Sequence, residues 1–228
     1  MIISELQKDK ISYAHVFSAM EHPHKTVVSP FPEALIIHCT VSDVYIAEYE
    51  GSDFEKFCSF LRKLPVVRLQ TTSQEIYKRL IPDFKNHYTC KQVVFTSDAS
   101  PGEEKLLPLS RKDLSYAQQT YEMPEYISQL FERDRLFGWY EDEQLIGYVA
   151  FHIDETVGAL FVKPEYRQQG YGSRIMEAAF RKYNDGIRYS QILSENQSSI
   201  QLHKKLGCEF GSKEICWLYN KEYEYPQK

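Results

Sequence analysis

Between Leu160 and Ser173 the chain reads Leu-Phe-Val-Lys-Pro-Glu-Tyr-Arg-Gln-Gln-Gly-Tyr-Gly-Ser: an apolar extended run, a polar turn, then a helix opening at paired glycines. This order fixes a strand-turn-helix unit in the C-terminal half. Gly170 and Gly172 let the backbone take positive φ and approach a ligand closely. The first helical turn then offers N–H groups with no intrahelical acceptor. The segment reads as a cradle for an anion, phosphate above all, with Arg167 and Ser173 as further donors. It lacks the GK[ST] ending of a P-loop and the third glycine of a dinucleotide fingerprint, which weakens nucleotide triphosphates and dinucleotides as ligands.

Charge supports this placement. The net charge is -5, yet Lys163, Arg167, Arg174, Lys204 and Lys205 make the surroundings of the cradle basic, as a polyanionic ligand requires. An acidic chain is a poor general nucleic-acid surface, so no nucleic-acid partner is expected. No apolar run approaches the ~18 residues of a membrane span, and the N-terminus lacks a basic lead into a long apolar stretch. No membrane partner and a cytoplasmic location are the expectations. Cys39, Cys58, Cys90, Cys208 and Cys216 are odd in number and show no CxxC or ligand spacing, so free, mostly buried thiols are expected and a metal site is not.

The wider pattern is α/β (α+β). Periodicity predicts a helix over 10–20, strands over 33–40 and 43–49, a helix over 53–64, a strand over 66–71, a helix over 74–80 and a strand over 89–96. Turn formers and charges around 99–104 predict a linker. Beyond it come a strand over 105–109, helices over 112–120 and 124–133, and paired strands over 136–140 and 144–152 turning at Glu141-Asp142-Glu143. A strand over 156–162, a helix over 171–183, a strand over 187–193, a helix over 197–206 and a strand over 214–220 follow. The expected division is therefore a smaller α/β domain over 1–98, a second domain over 105–222 and a tail over 223–228.

Arg167-Gln168-Gln169-Gly170-Tyr171-Gly172 matches the [RQ]-x-x-G-x-[GA] signature, and the segment resembles the GNAT acetyltransferase superfamily. Leu-x-Val-x-Pro-x-Tyr-Arg upstream is similar to that family's fourth strand and turn. Glu195-Asn196-Gln197-Ser198-Ser199-Ile200-Gln201-Leu202-His203-Lys204-Lys205-Leu206-Gly207-Cys208 resembles its next helix. The resemblance covers about 105–220 and implies the GNAT fold, a mixed, mostly antiparallel sheet flanked by helices, with acetyl-CoA as cosubstrate. By resemblance, pantetheine lies along Leu160, Phe161 and Val162, pyrophosphate sits on the amides of Gln168, Gln169, Gly170, Tyr171 and Gly172 beside Arg167 and Ser173, and Asn196, Ser199 and His203 complete the site. His203 is expected near the sulfur as proton donor, and Cys208 as a packing residue.

The implied reaction is direct attack of a primary amine on the thioester. For its general base Glu155 is favoured over His152, Asp154 and Glu195. The acceptor is a small-molecule amine or a protein amino group. The first hundred residues read as a degenerate half of the same kind; Tyr45, Tyr49 and Phe54 as walls with Glu48, Glu50 and Asp53 as anchors for a cationic amine compete there with a solvated hairpin tip. The 17 tyrosines and 13 phenylalanines suit an apolar acceptor side, a homodimer interface or a scattered core alike. The alternatives to an enzyme of this kind are a non-catalytic acyl-CoA-binding regulatory module and a phosphate-ligand enzyme unrelated to acyl transfer.

Overall fold

The computed structural model describes residues 2–28, 31–96, 106–182 and 186–220; the expected linker over 99–104 and tail over 223–228 lie outside them. Two compact units interleave along the chain. The first comprises Met1–Val94, Gln191–Gln197 and Glu209–Tyr223, and the second Phe95–Ser190 and Ser198–Cys208. The single cut expected between 98 and 105 is thus replaced by several crossings, because the C-terminal strand pairs with strands from the first hundred residues.

In the first unit α1 (Ile2–Leu6) and α2 (Ala14–Glu21) precede β1 (Lys25–Val28), β2 (Ala34–Cys39) and β3 (Val44–Tyr49). Then come α3 (Phe54–Leu61), β4 (Arg68–Thr71), α4 (Gln74–Leu80) and β5 (Asn86–Val94). The expected helix over 10–20 starts only at Ala14, because Asp9 accepts the Ser12 amide and closes a turn first. β1 was not anticipated, although Thr26-Val27-Val28 is β-branched throughout. Its partner β2 shows why this sheet needs continuous apolar runs. Leu35 and Ile37 pack with α1 and α2, while Ala34 and Ile36 pack with α3 and α4. Side chains alternate across a strand, so a sheet covered on both faces must be apolar at consecutive positions.

The second unit opens with β6 (Leu106–Pro108), α5 (Leu114–Thr120) and α6 (Pro124–Glu132). β7 (Leu136–Glu141), β8 (Gln144–Phe151) and β9 (Val157–Val162) follow, then α7 (Tyr171–Lys182), β10 (Tyr189–Leu193), of which residues 191–193 count with the first unit, and α8 (Gln197–Lys205); β11 (Glu209–Tyr219) belongs to the first unit. β6-β7-β8-β9 form an antiparallel sheet with β9 at its edge, and Tyr148, Ala150, Ala159 and Phe161 pack on the face carried by α5 and α6. The larger sheet is ordered β1-β2-β3-β4-β11-β5-β10, with β3 and β4 parallel.

The order helix-helix-strand-strand-strand-helix-strand-helix-strand occurs twice, from α1 to β5 and from α5 to β11. This repetition at the level of elements gives the chain its two-part layout. β11 begins five residues before the expected strand over 214–220: a register shift between Phe210 and Glu214 absorbs Gly211-Ser212, which reads locally as a break. None of the five cysteines is in a disulfide among the described residues, and all five are buried. Among the described residues no helix is long and apolar enough to cross a membrane.

Candidate cofactor and active site

β9 is built to leave backbone unpaired. Its inner edge pairs with β8, and one extra residue on β9 between the Tyr148–Phe161 and Ala150–Gly158 pairs forms a bulge, with Ala159 at φ +49°. On the outer side, Ser190 Oγ donates to the Val157 carbonyl (2.5 Å) and Tyr189 Oη to the Asp154 carbonyl (2.9 Å). Among the described residues no ladder continues beyond that point, so the outer edge from Leu160 to Val162 has no strand partner and only its Val162 carbonyl is taken, by Arg167. The bulge was not anticipated from the sequence; the small pair Gly158-Ala159 inside a strand was its only signal.

From Val162 the chain enters a short 3-10 turn, Pro164–Tyr166, and Arg167 Nε donates back to the Val162 carbonyl at 2.9 Å. Gln168 and Gly170 both take positive φ, +59° and +85°. A side chain at 170 would meet nothing within 4 Å, so glycine is needed there for conformation, not for room. The first bond of α7 runs from the Arg174 amide to the Gly170 carbonyl, and the amides of Gln168, Gln169, Gly170, Tyr171, Gly172 and Ser173 have no acceptor among the described residues. The first turn of α7 carries no acidic residue. A row of unbonded amides at the positive end of a helix is a site for an anion.

α8 packs on α7 within the second unit: Leu202 reaches Gly172, and the His203 ring stands edge-on to Phe180 with centroids 6.0 Å apart. His203 is buried, and its Nδ1 lies 2.8 Å from the Ser199 carbonyl. Nδ1 must therefore carry the proton, and Nε2 is a bare acceptor with no hydrogen-bond partner. Burial holds its pKa below the ordinary value, so imidazolium is scarce at neutral pH. The proton-donor role expected for His203 is not what this geometry offers. Ser199 acts through that carbonyl. Asn196 precedes α8 and donates its amide to Leu193. Cys208 is a buried packing residue whose thiol is pushed up to about 11 by burial.

At the other end of β9, Glu155 sits at φ +69° with Oε1 2.7 Å from Arg135. Its carboxylate anchors the turn before β9, a use that competes with the expected base role. Asp154 accepts from the Thr156 amide (3.2 Å) and hydroxyl (2.7 Å), while Glu195 is exposed. His152 Nδ1 lies 2.9 Å from Tyr126 Oη.

In the first unit, Tyr45, Tyr49, Phe54, Glu48 and Asp53, expected to wall or anchor an acceptor, are used internally, while Glu50 is exposed. Tyr49 stacks on Phe57 (4.6 Å, 9°), and Tyr45 stacks on His38 (4.0 Å, 7°). Asp53 caps α3 by accepting the Lys56 amide, and the Glu48 carboxylate is buried, accepting the Thr72 amide (2.7 Å) and hydroxyl (2.8 Å). Glu48 is therefore neither a surface anchor nor part of a solvated tip.

Residues 104–208 match the model of the acetyltransferase (GNAT) family. The chain carries a GNAT-family domain. Its fold is shared with a Drosophila protein (12% identity, TM-score 0.67, 95% of this chain and 92% of that one). It is also shared with a GNAT-family acetyltransferase from Colwellia psychrerythraea (12%, 0.53, 86% and 84%) and a GCN5-related N-acetyltransferase from Kribbella flavida (12%, 0.55, 93% and 95%). Among the curated proteins none matches. The structural likeness extends well beyond the GNAT segment into the first unit, so the two-part layout belongs to the fold shared with these proteins. Within the GNAT domain, the bulged β9, the 163–170 turn and the start of α7 are consecutive in the chain, and the unbonded amides fall at the end of that turn and in the first turn of α7. The first unit repeats the element order with only residues 50–53 between β3 and α3, and an aspartate where the GNAT domain has open amides.

Proposed function

We propose that the GNAT domain transfers an acetyl group from acetyl-CoA to a primary amine, on a small molecule or a protein, by direct attack within a ternary complex. The observation that carries this reading is the row of unbonded amides from Gln168 to Ser173 at the start of α7, which directly follows the bulged edge strand β9 and its turn. Acetyl-CoA supplies an activated thioester when bound. Leu160, Phe161 and Val162 would pair with the pantetheine amides through backbone groups. The amides from Gln168 to Gly172 would hold pyrophosphate, with the Arg167 guanidinium and the Ser173 hydroxyl beside them. The bulge at Ala159 turns a backbone amide out of the ladder, where it can stabilise an oxyanion. Asn196 and Ser199 complete the cofactor side as the family motif implies.

Calorimetry with acetyl-CoA on the wild type and Gly170→Glu tests this directly. A glutamate there meets a strained φ and brings a negative charge to the cradle. We expect binding by the wild type, at least about tenfold weaker binding by the variant, and thiol release with some member of a panel of primary amines. A folded wild type that does not bind acetyl-CoA would sink the reading. The second reading, a non-catalytic acyl-CoA-binding regulatory module, draws on the same cradle and on His203, whose Nδ1 proton is engaged by the Ser199 carbonyl and whose Nε2 carries none. Binding without thiol release from any amine would favour it.

A further inference from the structure

We infer that His152 is the base that takes the proton from the acceptor amine, and that Tyr126 and Gly158 position it. This rests on the acetyl transfer proposed above and deepens it. His152 follows the last residue of β8, and its ring lies over Gly158. A Cβ at 158 would stand 2.5 Å from His152 Nε2. Glycine is what lets the imidazole reach across to β9, one residue ahead of the bulge at Ala159. Tyr126, on α6, stacks on the ring at 5.6 Å and 9° with its Oη 2.9 Å from Nδ1, and Arg135 donates to the His152 carbonyl at 3.0 Å. Ring and backbone are both held.

Nε2, by contrast, makes no hydrogen bond to the described residues. In the tautomer that donates Nδ1–H to Tyr126 Oη, the one a base requires, Nε2 presents a lone pair on the face of the sheet that carries α5 and α6. The charged groups around it are engaged: Asp154 with Thr156, and Glu155 with Arg135. Burial outweighs the charge of Asp154 and lowers the His152 pKa, so the ring is neutral at pH 7, as a base must be. Of the four carboxylate and imidazole groups read as base candidates, His152 alone combines a fixed ring with an unengaged acceptor beside β9.

The step balances without any further reactant. An ammonium acceptor gives one proton to Nε2, and the freed lone pair forms the C–N bond at the thioester carbonyl. As the C–S bond breaks, its electron pair leaves on sulfur. The second nitrogen proton ends on that sulfur, and Nε2 returns its proton to solvent.

The test follows thiol release by the wild type, His152→Gln and Tyr126→Phe over primary amines whose pKa values run from below 7 to well above it, with acetyl-CoA binding measured on each protein. Both variants should bind acetyl-CoA within about twofold of wild type. His152→Gln should lose about 100-fold or more in kcat with amines protonated at pH 7, and much less with amines already neutral there. Tyr126→Phe should lose less and move the acid limb of the kcat/KM profile; it carries the test alone if His152→Gln does not fold. A defect of equal size for all amines, or none, overturns the assignment. So does a wild type that binds acetyl-CoA but acetylates no amine. Failure of the wild type to bind acetyl-CoA is distinct, because it removes the cofactor reading itself.

Discussion

Two side chains in the first unit show how far burial can reverse ordinary ionisation. Glu48 and His15 are both buried, with Glu48 Oε1 4.0 Å from His15 Nε2, and among the described residues neither ring nitrogen has a partner in hydrogen-bond geometry, while the Gln92 side chain acts on the ring. Burial pushes Glu48 from 4.5 up to about 7, against the two bonds from Thr72 and the charge of Lys213, with Glu50 adding to the rise. Burial also drives His15 from 6.5 down to about 3. Glu48 has the raised folded-state pKa, so its contribution to stability is present below 4.5 and lost as pH rises through 7. His15 has the depressed one, so its contribution is present above 6.5 and lost as pH falls through 3. Between 4.5 and 6.5 folding moves a proton from one group to the other, and their slopes cancel. Glu48→Gln removes one side of that balance. From pH 4.5 to 7 the variant should gain on the wild type by ~1.4 kcal/mol per pH unit in urea-unfolding stability. Parallel pH profiles for the two proteins would contradict this account. None of it was legible in the sequence, where Glu48 looks like any acidic residue at a strand end; its burial depends on Thr72, brought beside β3 by the parallel pairing with β4.

At the scale of elements the informative contrast is between α3 and α7, which hold the same place in the repeated order. α3 begins after four connecting residues and is capped by Asp53, whose side chain already satisfies a first-turn amide. α7 begins after a longer turn with no acidic residue in its first turn. An anion is therefore welcome at α7, whereas at α3 the carboxylate of Asp53 stands in its place. Asp53→Ala should cost ~1 kcal/mol in urea unfolding and leave acetyl-CoA binding as it was. An unchanged midpoint would mean the cap carries no weight. The α7 cradle was legible because its signals are local: two glycines, an apolar run before them and a basic neighbourhood. The Ala159 bulge and the early start of β11 were not. Each depends on register against a distant strand, and Gly211-Ser212 looks the same in a loop as in a bulged strand. Tyr126 was missed for the same reason, since only the packing of α6 on the sheet brings it to His152.

For the whole molecule the decisive strand is β11. It lies between β4 and β5, with Trp217 opposite Gln70 on one side and Tyr88 on the other, and it adds Ile215, Trp217 and Leu218 to the apolar clusters on the two faces. A sheet that lacks an inner strand loses two ladders and the core beneath them. Residues 1–96 alone should therefore show no cooperative thermal transition by circular dichroism, even though the sequence marks a boundary close to that point. The register suggests the repair. Glu209 pairs with Val94 and the strands are antiparallel, so a short Asn-Gly turn joining the end of β5 to β11 closes a hairpin without disturbing any existing pair. The fusion of 1–94 to 209–220 through that turn should melt cooperatively, with a lower Tm than the full chain because β10 is missing from the edge. A cooperative melt of 1–96 on its own, or a fusion that stays unfolded, would show that β11 is not what completes the first unit. Either result would return the weight to the division at the linker.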